Sequence, residues 1–191
     1  MPLLGTAARG LQSLFIYRGT DAAKREQVVE QIIERQRLIE DECVSYNPFC
    51  IFAEGTTTNG SALLKFKRGG FAALRTVIPV FAKVKQLGYF NPNHDVLEFW
   101  PLLIMYLASL SCYNLELTIM PEFTPTEWML EQHRDKSEHD WEVYAECVRE
   151  AMSRFGGVEL CNRSNREKLD YEYFMCGQTD EVTIDGRLFK Y

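Results

Sequence analysis

The chain has 191 residues, 46% hydrophobic and 25% charged, which suits one globular domain with a sizeable core. Its net charge of −6 and pI near 5.2 speak against a nucleic-acid-binding protein. No segment reaches the roughly 18–20 apolar residues of a membrane-spanning helix. The longest apolar run, Phe99–Tyr113, holds one proline and two serines. It reads as a core helix, with docking on a membrane or an apolar partner as the alternative. The six cysteines form no C-x-x-C pair, so neither a zinc site nor a thioredoxin-like motif is suggested. They read as free, mostly buried thiols in a reducing compartment rather than as a disulfide framework.

In chain order, Leu11–Tyr17 is a short apolar run that predicts a strand leading to Arg18. Thr20 or Asp21 is placed to cap a helix in which Val28, Val29, Ile32, Ile33 and Ile39 recur at helical spacing. Glu40, Asp41 and Glu42 oppose the dipole at its end, so fraying is expected there. Pro48 opens the run Phe49–Phe52, a predicted buried strand that empties into the loop Ala53-Glu54-Gly55-Thr56. A second buried strand is expected over Val77–Val84. Leu97–Ser111 predicts a helix with Pro101 in its first turn or at a kink. Leu115, Leu117 and Ile119 alternate with Glu116, Thr118 and Met120, the pattern of a half-buried strand. Thr124-Pro125-Thr126-Glu127 reads as a helix start with Thr124 as the cap and Glu127 completing a capping box. After the charged stretch Glu131–Asp140, Trp141, Tyr144, Ala145, Val148 and Met152 share one face of a helix that Gly156 or Gly157 ends. Strands alternating with helices define an α/β fold. The polar tail beyond Cys161 is expected to wrap the surface or contact a partner.

The chemistry concentrates in Phe52-Ala53-Glu54-Gly55-Thr56-Thr57-Thr58-Asn59 and the following Phe66-Lys67-Arg68-Gly69-Gly70-Phe71. A strand running into Glu-Gly-Thr sets a carboxylate, a permissive glycine and a hydroxyl at the sheet edge where α/β proteins bind ligands. Thr56, Thr57, Thr58 and Asn59 supply hydrogen-bonding groups, and Lys67 and Arg68 supply charge suited to a phosphate. On composition alone the stretch reads equally well as a solvated polar turn beside a basic patch.

The spacing resembles the F-P-E-G-T motif of the glycerolipid acyltransferase superfamily, and most closely its lysophosphatidylcholine acyltransferase branch, with E-G-T-C-T-N and then F-K-x-G-A-F. Leu14-Phe15-Ile16-Tyr17-Arg18 is similar to the family's arginine-ending strand, and Val77-Ile78-Pro79-Val80 to its proline-containing strand. Pro121-Glu122-Phe123-Thr124-Pro125-Thr126-Glu127 resembles the family's P-x-[YF]-[ST]-P-[ST]-E segment, and Val148–Gly157 the helix after it. The ordered series covers Met1 to about Cys176.

The resemblance implies a mixed sheet flanked by helices, with an acyltransferase-like domain over residues 1–160 and a polar extension over 161–191. It implies acyl transfer from acyl-CoA, as co-substrate, to a lysophospholipid or glycerol phosphate, with no metal and no bound cofactor. Arg18, Glu54, Gly55 and Thr56 take the acceptor-binding roles by position, with Thr57, Asn59, Lys67 and Arg68 as further acceptor or phosphate ligands. Pro79 is expected to be structural, near the groove. Met1–Thr20 has the Arg-bearing, acid-free composition of a mitochondrial transit peptide, but the resemblance accounts for it as the first helix and strand of the domain.

The family's base, the histidine of H-x-x-x-x-D, has no counterpart in these residues. Five positions after His94, His133 and His139 stand Phe99, Glu138 and Tyr144. The motif's place would lie before Met1, so the domain is expected to be N-terminally truncated. Ala53 replaces the motif proline, and Gln12 stands where a glycine is expected. No residue is therefore assigned a catalytic role. The resulting expectation is a catalytically inactive, acyltransferase-like accessory or structural subunit of a larger assembly. Other protein subunits, a phospholipid or lysophospholipid, and a membrane surface are its expected partners. The expected location is intracellular and membrane-associated: the endoplasmic reticulum by resemblance, with the mitochondrion as the alternative. A fragment of an active lysophospholipid acyltransferase and a non-catalytic phospholipid-binding module are the other readings.

Overall fold

A computed structural model describes residues 2–14, 21–47, 49–56, 58, 60–87, 99–109, 112–184 and 186–190. Its helices and strands are, in order, α1 (Pro2–Gly10), α2 (Ala22–Glu40), β1 (Ala62–Leu63), β2 (Val80–Leu87), α3 (Phe99–Ser109), β3 (Cys112–Ile119), α4 (Glu127–Gln132), α5 (Asp140–Gly156), β4 (Glu159–Leu160), α6 (Asn165–Met175), β5 (Glu181–Ile184) and β6 (Arg187–Lys190). Short 3₁₀ turns occupy Arg68–Gly70 and Arg134–Lys136.

The residues fall into two compact units. The first comprises Met1–Ala53, Lys67–Val77 and Thr124–Ala145; the second comprises Glu54–Phe66, Ile78–Phe123 and Glu146–Tyr191. All described strands lie in the second unit. They pair as three two-stranded ladders, β1–β4 parallel and β2–β3 and β5–β6 antiparallel. The α/β class stands, but the described strands do not join into the one mixed sheet expected. Apolar runs specify the face of a strand, whereas pairing depends on which backbone reaches it.

In the first unit, α2 begins where expected. The Asp21 carboxylate accepts from the amides of Ala23 and Lys24, replacing the helical partners those donors lack. The helix runs through Glu40 and ends inside the acidic run where fraying was expected. Arg37 binds Glu34 and Glu42, while Arg75 holds Asp41 through a fork at 2.8 and 2.6 Å. Ile32, Phe71, Met129, Val143, Tyr144 and Ala145 are buried in this unit. Phe71 and Tyr144 meet edge to face at 5.4 Å, and the Tyr144 hydroxyl donates to the Arg75 carbonyl at 2.9 Å. Burial raises the pKa of that phenol. The α4 cap is Thr126, whose hydroxyl accepts from the Met129 amide, and not Thr124 as expected. The Thr124 hydroxyl is engaged instead with that of Thr76, a pairing across 48 residues that local spacing does not reveal.

Three strand expectations change. Residues 49–52 belong to no regular element, and Phe52 is 84% exposed. Leu11 and Gln12 lie in a turn, with Gln12 at φ 56°, and residues 15–17 of that expected strand lie outside the described residues. The strand expected over Val77–Val84 runs instead from Val80 to Leu87, and Val80 is exposed rather than buried. Pro79 is buried just ahead of it, where a missing N–H costs no ladder bond, and its carbonyl accepts from the Met120 amide.

The β2–β3 register pairs Val80 with Ile119, Ala82 with Leu117 and Val84 with Leu115, so the alternating residues do share a face. That face is open, with Leu115, Leu117 and Ile119 all exposed. Alternation decides which residues point together; only a covering layer makes their side a core. Helix α3 lies inside the expected span, with residues 97, 98, 110 and 111 outside the described set. It is not the core helix expected: Trp100, Ile104 and Leu107 are exposed.

In the second unit Leu64, Phe66, Cys147, Val148 and Val182 are buried, as is the nearly inaccessible Arg149. Gly156 ends α5 against the Phe81 ring, and Gly157 at φ 61° supplies the left-handed turn that follows. The tail forms α6, begun by a Ser164–Glu167 capping box, and the β5–β6 hairpin.

Candidate functional site

The Glu54-Gly55-Thr56 loop lies in the second unit, immediately ahead of β1. Gly55 has φ 68°, a left-handed conformation that disfavours any Cβ. The turn folds the Glu54 carboxylate back onto the chain, where Oε1 accepts from the Leu64 amide at 2.9 Å. Burial raises the Glu54 pKa, opposed by that amide and by the charges of Arg149 and Lys168.

Arg149 supports this arrangement from α5. It is 1% exposed, and its Nη1 lies 2.6 and 2.8 Å from the two Glu146 carboxylate oxygens. Its Nη2 donates to the carbonyls of Cys161 (2.8 Å) and Leu63 (3.3 Å). The Cys161 amide also donates to Leu63 O, so Arg149 clips together the ends of the two-residue β1–β4 ladder. A ladder this short closes few hydrogen bonds of its own, and the guanidinium fork supplies fixed donors across it. Lys168, from α6, donates to Thr56 Oγ1 at 2.7 Å. Burial lowers its pKa, against the pull of Glu172 and Glu54.

Of the residues expected at the site, Glu54, Gly55 and Thr56 stand together. Arg18, Thr57 and Asn59 lie outside the described residues. Lys67 and Arg68 belong to the first unit, where Arg68 is ion-paired with Glu26 at 2.9 Å and the Lys67 amide donates to Ala53 O. His133 and His139 also belong to the first unit, and His94 is outside the described residues.

Sequence reasoning missed Arg149 and Lys168. Arg149 left a signal: it follows Ala145 by four residues along the apolar stripe of α5 and follows Glu146 by three. The S-x-x-E of Ser164–Glu167 announces α6, but nothing local ties Lys168 to a loop 112 residues away.

Residues 1–83, which include the Glu-Gly-Thr loop, match the acyltransferase family model. The chain belongs to the acyltransferase superfamily. Within it, the chain groups with the lysophosphatidylcholine acyltransferase branch. It is 32% identical to a lysophosphatidylcholine acyltransferase of Drosophila melanogaster over 169 residues, covering 86% of this chain and 28% of that protein. It is 26% identical to the lysophospholipid acyltransferase LPEAT1 of Arabidopsis thaliana over 187 residues, covering 95% and 43%. It is 28% identical to lysophosphatidylcholine acyltransferase 1 of Homo sapiens over 165 residues, covering 84% and 28%. The chain thus spans less than half the length of these relatives. No solved structure matches it.

Proposed function

We propose that residues 1–191 bind the phosphate-bearing acceptor of a lysophospholipid acyltransferase reaction and, by themselves, do not transfer the acyl group. The observation that carries this reading is the built Glu-Gly-Thr loop: Glu54 anchored on the Leu64 amide, Gly55 in a left-handed turn, and Thr56 joined to a lysine. Acyl transfer to a hydroxyl needs a base within hydrogen-bond reach of that hydroxyl, and loss of such a base forfeits roughly 10²–10⁴ in rate. These residues hold no H-x-x-x-x-D. The reading assigns acceptor binding to Glu54, Gly55 and Thr56, with Arg18, Thr57, Asn59, Lys67 and Arg68 as further ligands by their positions in the motif. It makes the protein a pseudoenzyme-like accessory component at an intracellular membrane, with the endoplasmic reticulum first and the mitochondrion second.

The exposed apolar side chains of α3 support a membrane-surface setting, since 11 residues are too few to span a bilayer but suit its interface. Among the described residues no helix is long and apolar enough to cross a membrane.

The decisive assay incubates the 191-residue chain with acyl-CoA and lysophosphatidylcholine and follows both binding and phosphatidylcholine formation. Binding without turnover is expected; robust turnover by this chain refutes the reading. A second reading, favoured by the limited coverage of the relatives, makes these residues the acceptor half of a longer active acyltransferase. Under that reading, the protein isolated from its source is longer than 191 residues and turns over acyl-CoA. Under the first, it co-purifies in a defined complex without such turnover.

A further inference from the structure

A cation buried in the first unit has no anion to answer it. Arg35, on α2, is 9% exposed, and among the described residues no carboxylate pairs with it, although the chain carries 27 acidic residues. Burying a charge is costly unless it is paired or fully hydrogen-bonded. The guanidinium is only partly satisfied. Its Nη1 donates to the Gln12 carbonyl at 2.6 Å, and the rings of Tyr46 and Phe49 have their centres 4.7 and 5.4 Å from its central carbon. Those contacts hold the side chain and offset part of its charge. Nε is buried without a hydrogen-bond partner, and Nη2 has none among the described residues. Nε and Nη2 carry their hydrogens side by side on one edge of the guanidinium. The unused donors therefore form the fork that a carboxylate accepts with both oxygens.

Arg35 lines an open groove of about 510 Å³ along α2, a size within the range of small-molecule sites. Glu30, Gln31, Glu34, Arg35 and Leu38 share the helix face that lines it. Leu14 and Tyr46 also line it, and every lining residue belongs to the first unit. The leucines and the tyrosine ring suit a hydrocarbon chain, and Arg35 suits an anionic end. Charge decides which anion. Arg35 brings one positive charge, Glu34 is held by Arg37 at 2.8 Å, and Glu30 has no ion pair among the described residues. Such a lining favours a monoanion over a phosphate dianion.

We propose that the α2 groove binds a long-chain carboxylate, with the carboxylate on the free edge of Arg35 and the hydrocarbon against Leu14, Leu38 and Tyr46. The ligand class is a fatty acid or another amphiphile with a single carboxylate. Tyr46 both covers the guanidinium and lines the groove, so a shift of this half-buried ring opens Nε to the ligand. None of the lining residues belongs to the Glu54-Gly55-Thr56 loop, so this site stands or falls apart from the acceptor-binding reading.

The test titrates the full 191-residue chain by calorimetry with decanoate, decanol and decyl phosphate, all below their micellar concentrations. Decanoate should bind about tenfold or more tightly than decanol, the worth of one charge-assisted pair. Arg35→Gln should erase that preference. Arg35 also holds the Gln12 turn, so two exposed lining residues test the groove without removing that clamp. Gln31→Trp places a large ring in the groove and should weaken decanoate by about tenfold or more, with thermal unfolding little changed. Glu30→Gln removes a repelling acid and should tighten decanoate by about twofold while leaving decanol unchanged. Equal affinity for decanoate and decanol, or wild-type decanoate binding by Gln31→Trp, overturns the proposal. Tighter binding of decyl phosphate than of decanoate overturns the carboxylate assignment. A wild-type chain that does not bind decanoate overturns it outright, whatever that chain does with lysophosphatidylcholine.

Discussion

Arg149→Met removes the side chain that clips the site to α5, and its cost follows from what it leaves behind. Methionine fills much of the space of the aliphatic stem, so the loss is chiefly polar. The Glu146 carboxylate loses both contacts to Nη1, at 2.6 and 2.8 Å. The Leu63 carbonyl keeps its bond from the Cys161 amide, whereas the Cys161 carbonyl loses the donor at 2.8 Å. Breaking one side of a buried ion pair costs about 3–5 kcal/mol. Glu146 is 28% exposed and regains some water, which favours the lower end of that range. An orphaned carbonyl adds about 1–3 kcal/mol, and the apolar replacement offsets part of it. The net expectation is a loss of about 3–4 kcal/mol, or roughly 10 °C in Tm for a chain of this size. Urea unfolding followed by circular dichroism measures it. The double variant Arg149→Met/Glu146→Met should recover part of the loss, because it removes the stranded carboxylate. A single-variant loss below about 1 kcal/mol, or a double variant as unstable as the sum of its parts, refutes the role given to this pair.

Glu54 carries a pH signature. Its pKa in the fold is raised above the ordinary 4.5, chiefly by burial, so the folded state holds that proton more tightly than the unfolded chain. The stability from this group is fully present below the unfolded pKa and is lost as pH rises through the folded one. Glu54→Gln is therefore expected to unfold at an equal or higher urea midpoint than wild type at pH 7, with the gap closing toward pH 4, while lysophospholipid binding falls. A lower midpoint at pH 7 contradicts this. Gly55→Ala places a Cβ at φ 68° and should cost about 1–2 kcal/mol, read in the same urea titration. Unchanged stability and unchanged lysophospholipid affinity together mean that the loop does not need its left-handed turn.

The resemblance legible in Glu54-Gly55-Thr56, and in the ordered segments around it, reached the superfamily and branch without coordinates. Helix starts and stops with a local cause were equally legible: Asp21 caps α2 through amides two and three residues away, and Gly157 follows the end of α5. These features depend on backbone donors, φ preferences and side-chain spacing within a turn or two, all of which the sequence states directly.

What depended on distant partners was not legible. At the acidic end of α2, Asp41 is bound by Arg75, 34 residues on. Thr126, not Thr124, caps α4, and the Thr124 hydroxyl pairs with that of Thr76 instead. The apolar faces of β3 and α3 look like core by period, yet they are open, because period sets direction and tertiary packing sets cover. The same division runs through the site. The sequence by itself determined the loop's carboxyl, glycine and hydroxyl, since these are adjacent letters. Only the tertiary structure decided that Arg149 would brace them and that Lys168 would meet Thr56. Those contacts close loops of 86 and 112 residues, and their existence is set by the packing of whole elements, not by local preference.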